Sequence, residues 1–510
     1  MKQGNADSEE RYATLLNNAG AIRAICSAVE GTLGPKGLDT MLVGPGGEVL
    51  VTNDGATILQ QMDVTHPAAR MLVQVAKSQQ ERVGDGTTTA TVLAGALVAE
   101  GVGQVTRGVP VSKVVTGMQE GVRLAAEMLQ ARSRPIEGLG DPRLYRVAHV
   151  AAREDRQLAE LVMAAADRLG VDALSGEEHR FADAIVAHDK PLSEVWTGLL
   201  LKHKPIHAQM LAVERERPRV LVLHDGLEPE KQDEEAMVTE AGFHRYLQLK
   251  EEFKTNLDKL LELGIGFVAV DRGVDQEAEQ FCADHGIIVL QRVPKRDLQR
   301  ICDHTGARPI RRSVLKKASA ELAPYLGACA TIRYDARIEQ VRLAGGAGLP
   351  AATVLVGGST AEVVGERARI ARDAASAVQA AVRGGYLPGG GAVELAAAHE
   401  LDRYRETVKG MEAFGVAAVV AALQKPLAQM VLNAGFNPLE QVEQVRAAQL
   451  AAQSDSIAVD CDTGRLMDVL ERGIVDPAPV KIHALLAAGE VAAAVLRIHT
   501  VIKMKSSENG

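Results

Sequence analysis

The sequence predicts a mixed α and α/β protein that is mainly helical at both ends and α/β in the centre. Both ends of the 510-residue chain are rich in alanine and carry apolar residues at three- and four-residue steps, the spacing of amphipathic helices. The centre, about 195–345, instead has short apolar runs bounded by Gly, Asp or Pro, which alternate with helical stretches. That alternation is typical of buried strands joined by crossover helices.

Within the helical ends, one predicted helix over residues 88–101 is apolar on nearly all sides. We therefore expect it to be buried at the centre of a helical domain. A short β-hairpin is predicted where two apolar runs flank Gly44-Pro45-Gly46-Gly47. The other predicted helices cover residues 12–30, 68–82, 111–131, about 143–170, 360–383, 392–408, 411–423, 425–434, 438–450 and 479–498.

The α/β centre contains a long charged insert between its first two predicted strands. The insert covers about 226–262; its first half is strongly acidic and is expected to stand in solvent, and its second half has apolar residues at helical spacing. The strands and helices predicted around it cover residues 220–223, 267–270, 274–284, 287–290 and 295–305.

Length and composition restrict the function. A chain of this length is expected to hold roughly two to four domains. The formal charge of −9 argues against a nucleic-acid partner, which would favour a basic face. Five scattered cysteines without a C-x-x-C pair indicate neither a zinc site nor a disulfide framework. Residues 1–11 are polar and no run approaches 18 uncharged apolar residues, so we expect a cytoplasmic protein without a membrane partner.

One motif is typical of a phosphate-binding site. It is the run Gly84-Asp85-Gly86-Thr87-Thr88-Thr89, which comes directly before the apolar helix. The glycines allow a phosphate to approach the backbone, and the first turn of the following helix offers free N–H groups to an anion. Asp85 would repel a bare phosphate, so its presence indicates a hard cation between the two, most naturally Mg²⁺. The alternative is a helix with a threonine cap after a glycine turn.

Several blocks occur in the order and spacing seen in chaperonins. The first three are Thr32-Leu33-Gly34-Pro35-Lys36-Gly37, Asn53-Asp54-Gly55-Ala56-Thr57 and the Gly84–Thr89 motif. Arg369 to Ala374, Gly389-Gly390-Gly391 and Gly473-Ile474-Val475-Asp476-Pro477 are similar to later family blocks. The resemblance covers about 12–503 and is closer to the thermosome and eukaryotic cytosolic chaperonins, which have a built-in lid, than to the chaperonins that need a separate co-chaperonin.

This resemblance implies chaperonin architecture, with a mainly helical equatorial domain that binds ATP, a small intermediate hinge domain and an α/β apical domain. The equatorial domain would comprise 1–135 and 385–510, the intermediate domain 136–197 and 347–384, and the apical domain 198–346 with a lid protrusion at about 226–262. It also implies an ATPase that encapsulates non-native client proteins, as a homo-oligomer in two stacked rings with no separate co-chaperonin.

The resemblance also implies roles for individual residues. Asp85 resembles the Mg²⁺ ligand, and Asp54 and Asp373 resemble the acidic pair near the γ-phosphate of ATP. Asp373 is the better candidate for orienting or deprotonating the attacking water, and closure of the intermediate domain would bring it to the site. Gly390 resembles the glycine near adenine and ribose, and Asp476 the carboxylate that accepts from ribose hydroxyls. The positions that resemble the phosphate-binding loops are Thr32, Leu33, Gly34, Pro35, Gly86, Thr87, Thr88 and Thr89.

Two positions depart from the family pattern. Asn53 stands where the co-chaperonin-dependent branch has a lysine. The lid-bearing branch has a lysine after the hinge that is thought to sense the γ-phosphate, but the corresponding run, 150–156, has none. Either Arg153 or Arg156 could replace that lysine.

Other interpretations stay open at the level of sequence. Asp54 and Asp476 could be simple cap or turn residues, and Asp373 could be a solvated helix residue. The chain could be an ATP-using metabolic enzyme whose α/β centre binds a small substrate. It could also be a ring scaffold that binds ATP but hydrolyses it poorly, because the sensing lysine is missing.

Overall fold

The computed structural model describes residues 2–176, 180–230 and 239–502, with side chains described from residue 13 onward. The chain divides by its internal contacts into two compact units, one comprising residues 1–159 and 370–510 and the other residues 160–369. The first unit is thus built from both ends of the chain. The three-domain boundaries implied by the resemblance stay a prediction.

The helices are numbered in chain order. They are α1 (Lys2–Val29), α2 (Gly55–Gln61), α3 (Pro67–Arg82), α4 (Thr87–Thr106), α5 (Val111–Arg132), α6 (Pro142–Ala151), α7 (Arg156–Ser175), α8 (Glu240–Glu262), α9 (Gln276–Asp284), α10 (Lys295–Thr305), α11 (Ser319–Leu322), α12 (Ala361–Gly384), α13 (Ala392–Arg405), α14 (Glu412–Asn433), α15 (Pro438–Ala452) and α16 (Ala478–Leu496).

The strands pair into small sheets. They are β1 (Thr40–Val43), β2 (Val49–Thr52), β3 (Ile185–His188), β4 (Glu194–Thr197), β5 (Leu199–Leu201), β6 (Glu214–Glu216), β7 (Arg219–Leu223), β8 (Ile265–Val270), β9 (Ile288–Leu290), β10 (Gly327–Ala328), β11 (Thr331–Asp335), β12 (Gln340–Ala344), β13 (Ala352–Gly357), β14 (Tyr386–Pro388), β15 (Ile457–Val459), β16 (Leu466–Asp468) and β17 (Val475–Pro477).

The core of the first unit is a helical cluster in which α4 packs against α1, α3, α14 and α16, and α5 packs against α14 and α16. Helix α4, predicted to be buried, has apolar residues facing the core along its whole length. Two of its neighbours, Glu412–Asn433 and Ala478–Leu496, are long and apolar enough by composition to cross a membrane. More than half of each such stretch is buried in this core, which accounts for its apolar character.

The second unit has an α/β sheet in the order β10-β7-β8-β9, in which β7, β8 and β9 run parallel. Alternate residues of these strands contribute to two separate apolar clusters, so both faces of the sheet are covered. The three strands predicted at the centre of the sequence are confirmed. Two further sheets, β5-β12-β11-β6 and β3-β13-β4, complete the unit.

Within the predicted insert at 226–262, residues 231–238 lie outside the described part of the chain. Helix α8 forms the second half, as predicted. Its later turns bury Phe253, Leu257 and Leu260 against the sheet, whereas Phe243 and Leu247 in its first turns are about half exposed.

Two helix predictions were wrong in their boundaries. The single helix predicted at about 143–170 is two helices, α6 and α7, because Arg153 and Glu154 between them adopt left-handed backbone conformations with φ of 53° and 63°. The two helices predicted at 411–423 and 425–434 are instead one continuous helix, α14, with Pro426 inside it. An interior proline costs about 3 kcal/mol, and the apolar packing of α14 against α4, α5 and α13 offsets that cost.

Candidate nucleotide-binding site

A turn in which two glycines flank Asp85 leads into α4. Gly84 and Gly86 have φ of +79° and +77°, the left-handed region that glycine adopts without strain. A Cβ atom at Gly84 would collide with Ser376 Oγ, and one at Gly86 would lie 2.5 Å from Val480 Cγ1. Gly86 is also the N-cap of α4 and has no side chain to cap it, so N–H groups of the first turn are available to an anion.

The three threonines of the motif form the first turn of α4. Thr87 is buried, and Thr88 and Thr89 are half-buried. The cap position that sequence analysis left open to a threonine belongs to Gly86. The hydroxyl of Thr87 lies 3.5 Å from Asp54 Oδ1, so its side chain faces the start of α2.

Asp85 lies between the two glycines and is partly buried. Its Oδ1 accepts a hydrogen bond of 2.6 Å from the N–H of Gly86, and its carbonyl accepts one of 2.7 Å from Gln79 Nε2. Burial raises the pKa of the Asp85 carboxyl, the hydrogen bond from the Gly86 N–H lowers it, and the negative charges of Asp476 and Asp54 raise it; the net result is a pKa of about 6. Such an enclosed carboxylate is a good partner for a cation.

Asp54 is the N-cap of α2. Its Oδ2 accepts from the Thr57 N–H at 2.7 Å and from the Thr57 hydroxyl at 2.6 Å. These bonds fix the carboxylate and leave Oδ1 facing Thr87. A Cβ atom at Gly55 would lie 2.5 Å from Thr88 Oγ1, so only glycine allows α2 to begin this close to α4.

The loop after α1 is held against α14. Asn433 Nδ2 donates to the carbonyls of Glu30 and Leu33, at 2.9 and 2.8 Å. Gly34 has φ of +86°, and a Cβ atom there would lie 2.6 Å from Met430 Cγ. The short 3₁₀ turn Glu30–Thr32 contacts α4, which places this loop beside the helix that follows the glycine turn.

The rest of this loop is more open. Thr32 Oγ1 donates to the Val29 carbonyl at 2.8 Å, which closes the end of α1. Pro35 is exposed, and Lys36 pairs with the exposed carboxylate of Asp462 in the turn between β15 and β16.

A short antiparallel pair, β14 with β17, joins two distant parts of the sequence. Leu387 pairs with Asp476 in its register, and the N–H of Gly389 donates to the Ile474 carbonyl at 3.0 Å. Gly390 follows with φ of +62°. This pairing brings the triple-glycine block and Asp476 together. Val480, which follows Asp476 closely in the chain, lies against Gly86 and shares the amide of Gln79 with Asp85, so Asp476 is near the glycine turn.

Asp373 is a half-buried residue of α12, within the part of that helix that belongs to the first unit. Ser376, one helical turn further on, packs against Gly84. Residues three apart share one helix face, so Asp373 is on the face of α12 that meets the glycine turn.

Three further residues, not predicted from the sequence, organise the site: Gln79, Glu394 and Lys481. Lys481 Nζ lies 2.6 Å from Glu394 Oε1 and 2.9 Å from Asp476 Oδ2. Burial would lower the pKa of Lys481, but the two carboxylates outweigh it and raise that pKa, so the lysine stays charged. The available signal was a single lysine near the start of a mainly apolar helix.

Gln79 fixes the glycine turn to the start of α16. Its fully buried amide donates to the carbonyls of Asp85 and Val480, at 2.7 and 3.0 Å, and its Oε1 is 2.6 Å from His483 Nδ1. Since both amide protons already bind carbonyls, Oε1 accepts and the His483 Nδ1–H donates.

Comparison with known proteins decides the family. A sequence model of the TCP-1/cpn60 chaperonin family matches residues 25–506. The chain belongs to the TCP-1/cpn60 chaperonin family. This chaperonin is 32% identical to a thermosome subunit of Methanocaldococcus jannaschii, over 96% of this chain and 92% of the relative. It is also 32% identical to the thermosome subunit beta of Archaeoglobus fulgidus, over 100% of this chain and 95% of the relative.

A solved structure agrees with the sequence relatives. The chaperonin is similar to a group III chaperonin crystallised in the open state, with a TM-score of 0.84 and 42% identity over 97% of this chain and all of that one. The predictions of chaperonin architecture and of a thermosome-type chaperonin are therefore confirmed. The chain is an ATP-dependent chaperone and an ATPase of a ring-forming family, which removes the reason for considering a metabolic enzyme.

Proposed function

We propose that the glycine turn, the start of α2, the loop after α1 and the β14–β17 pair together bind and hydrolyse Mg²⁺·ATP. The observation that carries the proposal is the position of three carboxylates around the N-terminus of α4, where backbone N–H groups favour phosphate. Asp85 precedes that turn, Asp54 lies 3.5 Å from the Thr87 hydroxyl, and Asp476 shortly precedes Val480, which lies against Gly86. Gly86 and Thr87 to Thr89 would bind phosphate oxygens, and Thr32, Leu33, Gly34 and Pro35 would line the same phosphates. Gly390 and Asp476 would contact the ribose.

Asp85 fits a role as the Mg²⁺ ligand. Magnesium in proteins is usually held by one or two carboxylates together with substrate phosphates. Asp85 offers a carboxylate beside the phosphate-binding turn, and burial raises its pKa to about 6, so a nearby cation would favour its charged form. When bound, Mg²⁺ would neutralise charge on the β- and γ-phosphates.

Asp54 and Asp373 would act on the attacking water. The carboxylate of Asp54 is fixed by Thr57 and keeps one oxygen toward the phosphate-binding turn. Asp373 lies one helical turn from Ser376, which already touches that turn. We assign Asp373 as the residue that orients or deprotonates the water, and Asp54 as its acidic partner.

At the level of the assembly, we propose a homo-oligomer of two stacked rings in the cytoplasm that encloses non-native client proteins without a separate co-chaperonin. The support is the built-in helical insert, in which Phe243 and Leu247 are exposed on α8. ATP hydrolysis would drive closure of that lid over the client.

Negative-stain electron microscopy of the purified protein, with and without Mg²⁺·ATP, tests the assembly. We expect double rings that are open without nucleotide and closed during hydrolysis. Double rings that stay open in both conditions would favour the poorly hydrolysing scaffold. Monomers or dimers at micromolar concentration would contradict the double ring.

Arg153 is the stronger candidate to replace the missing lysine, because its charge reaches Asp85 and lowers the pKa of that carboxyl. We expect Arg153→Ala to weaken ATP binding roughly tenfold while ADP binding changes by less than about twofold, because a charge-assisted contact with the γ-phosphate is lost. Isothermal titration calorimetry under non-hydrolysing conditions measures both constants.

Arg156→Ala is the matched control, since it removes the same charge three residues further on, at the start of α7. It should leave both affinities near those of the wild type. Equal losses in the two variants, or none in Arg153→Ala, would contradict the assignment.

A further inference from the structure

The first turn of α16 is connected to Asp85 and to Asp476 through different contacts, to the backbone of the first and to the carboxylate of the second. Val480 offers its carbonyl to Gln79, which also holds the Asp85 carbonyl. The next residue, Lys481, contacts Asp476. One helical turn thus fixes both the proposed metal ligand and the proposed ribose ligand.

Lys481 and Glu394 form a buried ion pair, not a surface ion pair. Its side chain is 7% exposed and that of Glu394 is 3% exposed. Glu394 Oε1 lies 2.6 Å from Lys481 Nζ, whereas Glu394 Oε2 has no hydrogen-bond partner among the described residues. Glu394 therefore holds the ammonium group in place, and a buried ion pair with this geometry is costly to break by removing one partner.

Asp476 differs from both, because its side chain is 31% exposed. A partly exposed aspartate alone could rotate its carboxylate among several orientations. Lys481 removes that freedom by binding Oδ2 at 2.9 Å, and the strand pairing of β17 with β14 fixes the backbone. Among the described residues no side chain is recorded as bonded to the other oxygen, Oδ1, so it can accept from a ligand hydroxyl.

We propose that Lys481, held by Glu394, is a positioning residue that sets the orientation of Asp476 and thereby determines selectivity for the ribose hydroxyls of the nucleotide. The inference rests on the proposed function, in which Asp476 accepts from those hydroxyls. A carboxylate that is already fixed contributes more binding free energy to a hydrogen bond with a hydroxyl than a carboxylate that rotates freely. The reason is that the fixed carboxylate loses less conformational freedom when the ligand binds.

The test compares binding of ADP with binding of 2′,3′-dideoxy-ADP by calorimetry in the presence of Mg²⁺. A hydrogen bond to a charged group predicts that the wild type binds ADP roughly 10- to 100-fold more tightly than the dideoxy analogue. Asp476→Asn should lower this ratio strongly. A general structural defect would weaken both nucleotides equally and leave the ratio unchanged.

The main variant is Lys481→Met combined with Glu394→Leu. Replacing both partners of a buried ion pair by apolar residues of similar size is often tolerated, whereas the single Lys481→Met leaves a buried carboxylate without its cation. We expect the ratio of the affinities for ADP and the dideoxy analogue to fall toward one in the double variant. Its melting temperature should stay near the wild-type value. Lys409→Met, the same substitution at an exposed position, should change neither quantity.

The outcomes distinguish the ribose role of Asp476 from the positioning role of Lys481. An unchanged ratio in Asp476→Asn would overturn the ribose role of Asp476 and, with it, the positioning role of Lys481. A ratio that falls in Asp476→Asn but persists in the double variant would overturn the positioning role alone. If the double variant fails to fold, the single Glu394→Gln variant, which loosens Lys481 but keeps its charge, replaces it. Its ratio is expected to lie between those of the wild type and Asp476→Asn, and a wild-type ratio would overturn the proposal.

Discussion

Asp373→Ala is expected to lower the single-turnover rate of ATP hydrolysis by roughly 100- to 10,000-fold, the usual contribution of a positioned general base. ATP binding should stay within about threefold of the wild type, because the glycine turn and the first turn of α4 are unaffected. The rate is expected to fall because Asp373 shares a helix face with Ser376, which packs against Gly84, and so lies beside the proposed site of hydrolysis. Rapid-quench measurement of phosphate release after mixing with Mg²⁺·ATP gives the rate.

Asp402→Ala is the matched control for Asp373→Ala. Asp402 is a helical aspartate of the same unit that pairs with Arg405 within its own helix. Its replacement should leave hydrolysis at the wild-type rate. A wild-type rate in Asp373→Ala would remove Asp373 from the reaction and leave Asp54 as the remaining candidate.

Asp85→Ala is expected to weaken Mg²⁺-dependent ATP binding by more than about 100-fold, since a direct metal ligand should matter at least as much as residues that only support such ligands. Asp85→Asn is the sharper variant. It keeps the size of the side chain and an oxygen for the Gly86 N–H, and removes only the charge. Calorimetry with Mg²⁺ and with a chelator separates the metal-dependent part, and wild-type affinity in Mg²⁺ would contradict the assignment.

Asp85→Asn has a second expected effect, on the nucleotide-free protein in chelator. The pKa of Asp85 is raised to about 6 in the folded state from an ordinary value of 3.8. Between these values the folded state binds more protons than the unfolded state, so the wild type loses stability as the pH rises from 4 to 6. We therefore expect Asp85→Asn to melt at a higher temperature than the wild type at pH 7, and the difference to shrink toward pH 4.

The sequence allowed prediction of those features that depend on local signals. The glycine turn, the apolar helix behind it and the three parallel strands follow from composition and spacing within about 20 residues. The approach of Asp54, Asp85 and Asp476 followed only from family resemblance, because the β14–β17 pair that brings Asp476 to the site joins short segments about 90 residues apart.

Other features could not be predicted because their cause is tertiary. Arg153 and Glu154 break a helix without glycine or proline, which local propensity does not indicate. Pro426 should have ended a helix, and the burial of α14 overrides that tendency. Lys481 stands in a mainly apolar helix, and the sequence does not show which carboxylates it pairs with. Its role depends on Glu394 and Asp476, which only the tertiary structure brings beside it.

The first unit is assembled from both ends of the chain, and this has a consequence for biosynthesis. Helix α4 is covered by α14 and α16, which are translated more than 300 residues later. A nascent chain that ends before residue 412 therefore has an apolar α4 without these two partners, and such surface is prone to aggregation. The proposed nucleotide site likewise lacks Asp476 and Lys481 until the last helix begins. A ribosome-bound chain stalled before α14 should thus be unable to retain ATP and should depend on other chaperones until its C-terminal end is released.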